Sequence, residues 1–152
     1  MADHSPRDPN FEAVIRDSFA RQSFMALLGA ELETVKPGRV SIGLRTREDL
    51  LQQHGFVHAG VTGAIADSAG GYAALTLCPA GTSVLSVEYK MNLLAPARGD
   101  RLIAEGRVVR SGRTITATQI DVYAIEAEER VHIAMMLQTI IALAESKSRP
   151  GG

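Results

Sequence analysis

"LLQQHGFVHAGVTGAIADSAGGYAALTLCP", residues 50–79, is the stretch on which the fold turns. Residues 60–77 are rich in Ala and hold no Pro, so they read as a helix. One acid, Asp67, sits inside it. Its helical neighbours at three and four positions are Gly63, Ala64, Gly70 and Gly71. Each interior Gly costs about 1 kcal/mol relative to Ala. Such a pattern implies that something comes close to the helix backbone there, either another element or a ligand. Val61, Ile65, Tyr72 and Leu75 are left for packing on the other side. Two readings of Asp67 stand on spacing alone. It is a solvated acid beside glycines that serve tight helix–sheet contact, or it is a catalytic acid.

Working outward, residues 46–59 hold polar groups, two His and a Gly, and read as a loop. Before it, Leu32 to Val35 and then Val40, Ile42 and Leu44 alternate around the turn signal "KPG", which predicts two strands. Phe11, Val14, Ile15 and Phe19 recur at spacings of three and four, and apolar content continues through Phe24, Leu27 and Leu28. That predicts a helix over 10–29. After "CPAG" the pattern is strand to the end. Leu85, Val87, Tyr89, Met91 and Leu93 are expected on one face, with Ser86 among Val84, Glu88 and Lys90 on the other. Leu102, Ala104, Gly106 and Val108 follow, then Ile120, Val122 and Ala124. Val131, Ile133, Met135, Leu137, Thr139 and Ile141 close the chain. "RSGR" at 110–113 and "EAEER" at 126–130 are hairpin turns.

Helix, two strands, loop, helix and four strands is therefore the expected order. Strands joined by short turns are antiparallel. A long antiparallel sheet must bury one face, and one central helix is available to cover it. The expected product is an α+β domain in which an antiparallel sheet wraps round a helix. Its open edges favour pairing with a second copy, most simply by a two-fold axis.

The chain of 152 residues favours one domain, placed at 10–144, with flexible tails at 1–9 and 145–152. Sixteen basic residues against seventeen acidic ones give a formal charge of −1, which is no footprint for nucleic acid. The single cysteine, Cys78, rules out an intrachain disulfide and reads as a buried thiol at a helix end. The polar start "MADHSPRDPN" carries no apolar leader, and "IAMMLQTIIALA" is too short to span a bilayer, so a cytoplasmic protein is expected. His4, His54, His58 and His132 make no metal-ligand spacing, and no phosphate-binding glycine loop occurs. No metal or separate cofactor is expected.

The entry to the helix adds a second chemical feature. Near Ala59 and Gly60, backbone N–H groups lack intrahelical partners and the helix dipole is positive, a combination suited to a developing oxyanion. Asp67 lies about 12 Å further along at ~1.5 Å per residue. That is far for one small group, unless the N–H of one chain faces the acid of another.

The pieces "HGFVHAG", "IADSAGGYA", "SVEYKMNLLAP" and "RSGRT" together resemble the hotdog-fold thioesterases of the phenylacetate-degradation (PaaI-like) group, over roughly residues 25–143. The resemblance implies a hotdog fold and hydrolysis of a small aromatic or medium-chain acyl-CoA, with CoA as part of the substrate. It implies that Asp67 is general base or nucleophile and that the Ala59 N–H forms the oxyanion hole. Gln52 would polarise the thioester carbonyl and Ser86 would position water. It further implies a site shared by two subunits of a homodimer or dimer of dimers. CoA is expected along Ala95, Pro96 and Arg98 and the turn Arg110, Ser111, Gly112, Arg113 and Thr114. His54, His58 and Gly60 are expected to border the substrate. Singly, each Arg also reads as ordinary surface charge, and each His as a structural loop residue. This chain carries Ala59 where most relatives have Gly and Gln52 where many have Asn. Those departures leave open a non-catalytic acyl-CoA-binding protein. A hotdog hydratase or dehydratase is a further alternative, though its His–acid motif is absent.

Overall fold

The helix around Asp67 sets the architecture. A computed structural model of the chain describes residues 4–144. The expected tail at 145–152 lies outside the described residues, as do residues 1–3. Within 4–9, His4 stands against Gly38 and the buried Asp8 accepts the Asn10 N–H at 2.8 Å.

The elements are α1 (Phe11–Ala20), α2 (Ser23–Leu28), β1 (Ala30–Lys36), β2 (Arg39–Arg45), α3 (Ala59–Leu75), β3 (Thr82–Leu93), β4 (Arg101–Ser111), β5 (Ile115–Glu126) and β6 (Glu129–Ala144). The single helix expected over 10–29 is broken at Arg21–Gln22. There Gln22 adopts an extended backbone and its side-chain amide donates to the Tyr72 hydroxyl at 2.7 Å. A short 3-10 turn, Glu48–Leu50, and a bridge between Leu51 and Val57 order the segment read as loop.

All six strands form one antiparallel sheet in the order β1-β2-β4-β5-β6-β3. β2 and β3 are far apart in that order, so α3 crosses the sheet between them. The sheet curls round α3, which is buried on most sides: Val61, Ile65, Ala66, Ala69, Tyr72 and Ala73 are all in the core. Ile42, Leu44, Leu102, Ile120, Val122 and Met136 meet it from the sheet. Small residues allow this closeness. A Cβ on Gly106 of β4 would lie 2.5 Å from the Ala69 carbonyl oxygen and 2.9 Å from the Gly70 nitrogen, so helix and strand touch backbone to backbone. Among the described residues, no helix is long and apolar enough to cross a membrane.

Two strands present faces other than the alternation predicts. In β3 the register slips between Ser86, opposite Ile140, and Glu88, opposite Thr139, so Val87 is an extra residue. A bulge reverses which face the following residues take. Ser86 therefore shares the α3-facing side with Tyr89, Met91 and Leu93, while Leu85, Glu88 and Lys90 face away. In β6 a slip at Ile133 puts Ala134, Met136, Gln138 and Ile140 inward, and the stripe expected from Met135 to Ile141 outward. β6 is apolar on both sides, so alternation alone does not choose its face.

β3 is an edge strand, and none of its twelve residues is fully buried. Leu85, Val87, Tyr89 and Leu93 are each at least half exposed. A long apolar edge of this kind is what natural monomers avoid.

Candidate active site

Asp67 is partly buried on α3 and faces β3 and β6. Its Oδ1 accepts the Ser86 hydroxyl at 2.5 Å and the side-chain amide of Gln138 at 2.5 Å. The same amide donates to Ser86 Oγ at 3.0 Å and to the Asp67 carbonyl at 3.2 Å. Gln138 is 2% exposed, and its Oε1 accepts the buried Thr118 hydroxyl at 2.9 Å. Among the described residues Asp67 makes no ion pair and its Oδ2 accepts no hydrogen bond. Neutral donors hold one oxygen, and the other is free to accept.

Gln138 was not legible as a site residue. In the sequence it only interrupts an apolar run. The available signal was a lone amide on an apolar strand, which must find partners if buried. Gly70 is the other half of that signal. A Cβ there would run into Gln138 Oε1 and lie 2.7 Å from Ile120 Cδ1. Gly71, by contrast, faces open space.

The helix entry is built by His58. It is the N-cap of α3, and its Nδ1 accepts the Gly60 N–H at 2.9 Å. The Val61 N–H goes to the His58 carbonyl at 2.9 Å. Among the described residues the Ala59 N–H has no acceptor, so it is the free donor of this first turn. Gln52 starts a tight turn: its carbonyl accepts the Gly55 N–H, its N–H donates to the Phe56 carbonyl, and its Oε1 takes the His54 N–H. Gly55, at φ +82°, supplies the left-handed backbone that turn needs. The Gln52 amide hydrogens remain free to donate.

The expected site residues fall into two groups on one chain. Gln52, His58, Ala59, Ala95 and Pro96 line one cleft of about 580 Å³. His54 and Arg98 line an adjoining cleft of about 530 Å³, where the Arg98 guanidinium lies 4.5 Å from the centre of the Phe56 ring. Asp67 and Ser86 line a third, about 400 Å³, between α1, α3 and β3. A shallow groove along α3 touches Ala59, Gly60 and Asp67, with Tyr89 and Met91 across it. Even so, eight residues of helix, about 12 Å, separate the free N–H from the acid.

The Arg residues do not cluster. Arg98 precedes β4, whereas Arg110, Ser111, Gly112, Arg113 and Thr114 form the exposed tip at its far end, roughly 30–35 Å away along an extended strand. The tip belongs to the acid's end of the sheet: Ser86 pairs with Ile140, Ile140 with Thr116, and Thr114 accepts the Ala142 N–H. Gln52, Ala59, Ala95 and Arg98 belong to the other end.

A six-stranded antiparallel sheet curled round one long helix is a hotdog architecture, and residues 54–130 match the family model of the thioesterase superfamily. The chain belongs to that superfamily. A thioesterase family protein from Silicibacter pomeroyi has a similar structure, with a TM-score of 0.87 and 45% identity, over 88% of this chain and 98% of that one. The E. coli PaaI protein from the phenylacetic acid degradation operon shares the fold at a TM-score of 0.78 and 16% identity, over 90% and 96% of the two chains. Human acyl-coenzyme A thioesterase 13 is 26% identical over 110 residues, 71% of this chain and 78% of that protein.

Proposed function

We infer that the protein hydrolyses acyl-CoA thioesters with small aromatic or medium-chain acyl groups, and that Asp67 carries the reaction. One observation supports this above the others. The carboxylate is held by Ser86 and Gln138 through Oδ1 alone, while the first N–H of the same helix has no acceptor. In this reading the thioester carbonyl accepts the Ala59 N–H and the free amide of Gln52. Water attacks the carbonyl carbon and gives its proton to Asp67 Oδ2. The C–S bond then breaks, and the CoA thiolate leaves and is protonated. A direct attack by Oδ2, giving a mixed anhydride that water opens, uses the same atoms. A donor aimed at the oxyanion is worth about 2.7–4 kcal/mol, and a positioned base about 10²–10⁴ in rate.

The 12 Å gap is bridged in this reading by a second subunit. Pairing of β3 with its copy about a two-fold axis would cover the exposed Leu85, Val87, Tyr89 and Leu93 and continue the sheet. The axis reverses chain direction, so the α3 entry of one subunit comes beside the middle of the other's α3. Asp67 and Ser86 then meet Gln52 and Ala59 of the partner subunit, and the Arg110–Thr114 tip approaches the partner's Ala95–Arg98 end, where CoA would lie.

The test is release of free thiol from phenylacetyl-, benzoyl- and medium-chain acyl-CoA, with D67A and D67N beside wild type. Turnover by wild type and a loss of at least about 100-fold in both variants is expected. Absence of wild-type turnover on the whole panel overturns the reading.

A further inference from the structure

We propose that Gln138 is a positioning residue for the Asp67 carboxylate, locked by Thr118 and given room by Gly70. The proposal rests on the reading that Asp67 does the chemistry, and extends it to three residues that need not touch substrate.

The amide of Gln138 has one available orientation. The Asp67 carboxylate and carbonyl only accept, so the end of the amide that lies 2.5 Å from Oδ1 and 3.2 Å from the carbonyl is Nε2, which also reaches Ser86 Oγ at 3.0 Å. Oε1 is thereby turned to Thr118, whose hydroxyl donates to it at 2.9 Å and holds it there. With Gln138 as donor to Ser86 Oγ, the serine proton is directed to Asp67 Oδ1 at 2.5 Å. A single buried side chain thus sets the rotor of Ser86 and the rotamer of Asp67. An apolar replacement would leave the carboxylate with one exposed serine as its partner and free to turn about its side-chain torsions. A buried polar group usually earns its place by such specificity, because an apolar side chain of equal volume costs less to bury.

Gly70 is part of the same device. On a buried helix Ala is the better residue by about 1 kcal/mol, yet a Cβ at 70 would occupy the space of Gln138 Oε1. Of the two adjacent glycines, only Gly70 meets the sheet in this way; Gly71 has open space around its Cα.

The test has a kinetic and a structural arm. Q138M keeps volume and removes the donor. It is expected to lower kcat by roughly 10- to 100-fold, the scale of losing a hydrogen bond to a charged group, with KM changed less than about threefold. T118S, which keeps the hydroxyl, is expected to retain wild-type kcat, while T118V lowers it. G70A is expected to reproduce the Q138M loss, and the double variant to be no slower than the slower single one. In a crystal structure of Q138M the Asp67 carboxylate is expected to leave its bond to Ser86 or to occupy more than one rotamer. Unchanged kcat in Q138M, or equal loss in T118S and T118V, overturns the proposal. An unmoved Asp67 in the Q138M crystals overturns it whether or not any variant turns over. Failure of wild type on the thioester panel would instead remove the assigned reaction, while the rotamer comparison would still decide the positioning role.

Discussion

Gly106→Ala offers a severe test of how closely α3 is held. The added Cβ would stand 2.5 Å from the Ala69 carbonyl oxygen, 2.6 Å from its carbon and 2.9 Å from the Gly70 nitrogen. Ordinary contact begins near 3.4 Å, so α3 must retreat from β4 by about 0.9 Å. The atoms in the way are backbone on both sides, and no rotamer change relieves them. Overpacking of this kind costs about 1–3 kcal/mol, and the upper part of that range is expected here. For a chain of this length that corresponds to a fall in Tm of roughly 5–10 °C. The same displacement draws Asp67 from Ser86 and Gln138, whose bonds of 2.5 Å have little slack, so kcat should fall with stability. The assay is thermal unfolding by circular dichroism beside initial rates at 25 °C. A Tm within 1 °C of wild type would refute the claim that helix and strand meet through their backbones at this point.

The β5–β6 hairpin turns through Ala127 and Glu128, which both have positive φ, 48° and 70°, in a two-residue loop closed by Glu126 and Glu129. Asn-Gly suits that geometry, so A127N/E128G should gain about 1 kcal/mol and raise Tm by roughly 2–4 °C; a lower Tm would contradict it. Burial pushes the Cys78 thiol up, with Arg7 opposing. The folded chain should therefore resist a disulfide reagent at pH 8 and react at once in denaturant, and rapid native labelling would count against this. The folded thiol keeps its proton after the unfolded one loses it. The contribution of Cys78 to stability is thus constant below about pH 8.5 and declines above it, which C78A should abolish in urea titrations against pH.

The fold was largely legible because its signals were local. The Ala-rich run, the turn residues at "KPG" and "RSGR", and the alternation in β4 and β5 lie close to the elements they predict. What escaped depends on long-range register. The bulge at Val87 brings Tyr89 and Met91 onto the side of Ser86, and the slip at Ile133 turns Gln138 inward. No run of residues announces either, because bulges are set by the strand opposite. The acid and the helix entry were visible through their unusual neighbours. The amide that holds the acid was hidden in a strand apolar on both faces, and the Gly70 that makes room for it has meaning only once β6 is in place. Within one chain Arg98 and the Arg110–Arg113 turn lie at opposite ends of β4, which proximity to a strand end in the sequence does not tell.

Subunit complementation addresses the shared site most directly. Ala59→Pro removes the N–H at the first helical position, where proline is tolerated, and His58 already has the extended backbone (φ −60°, ψ 135°) that a following proline requires. A59P and D67N should each be nearly inactive. Co-refolded in equal amounts, half of the dimers are mixed, and each mixed dimer holds one intact site built from the two undamaged halves. Thiol release should return to about a quarter of the wild-type rate. A mixture as inactive as its components would contradict a site that joins Asp67 of one subunit to the helix entry of its partner.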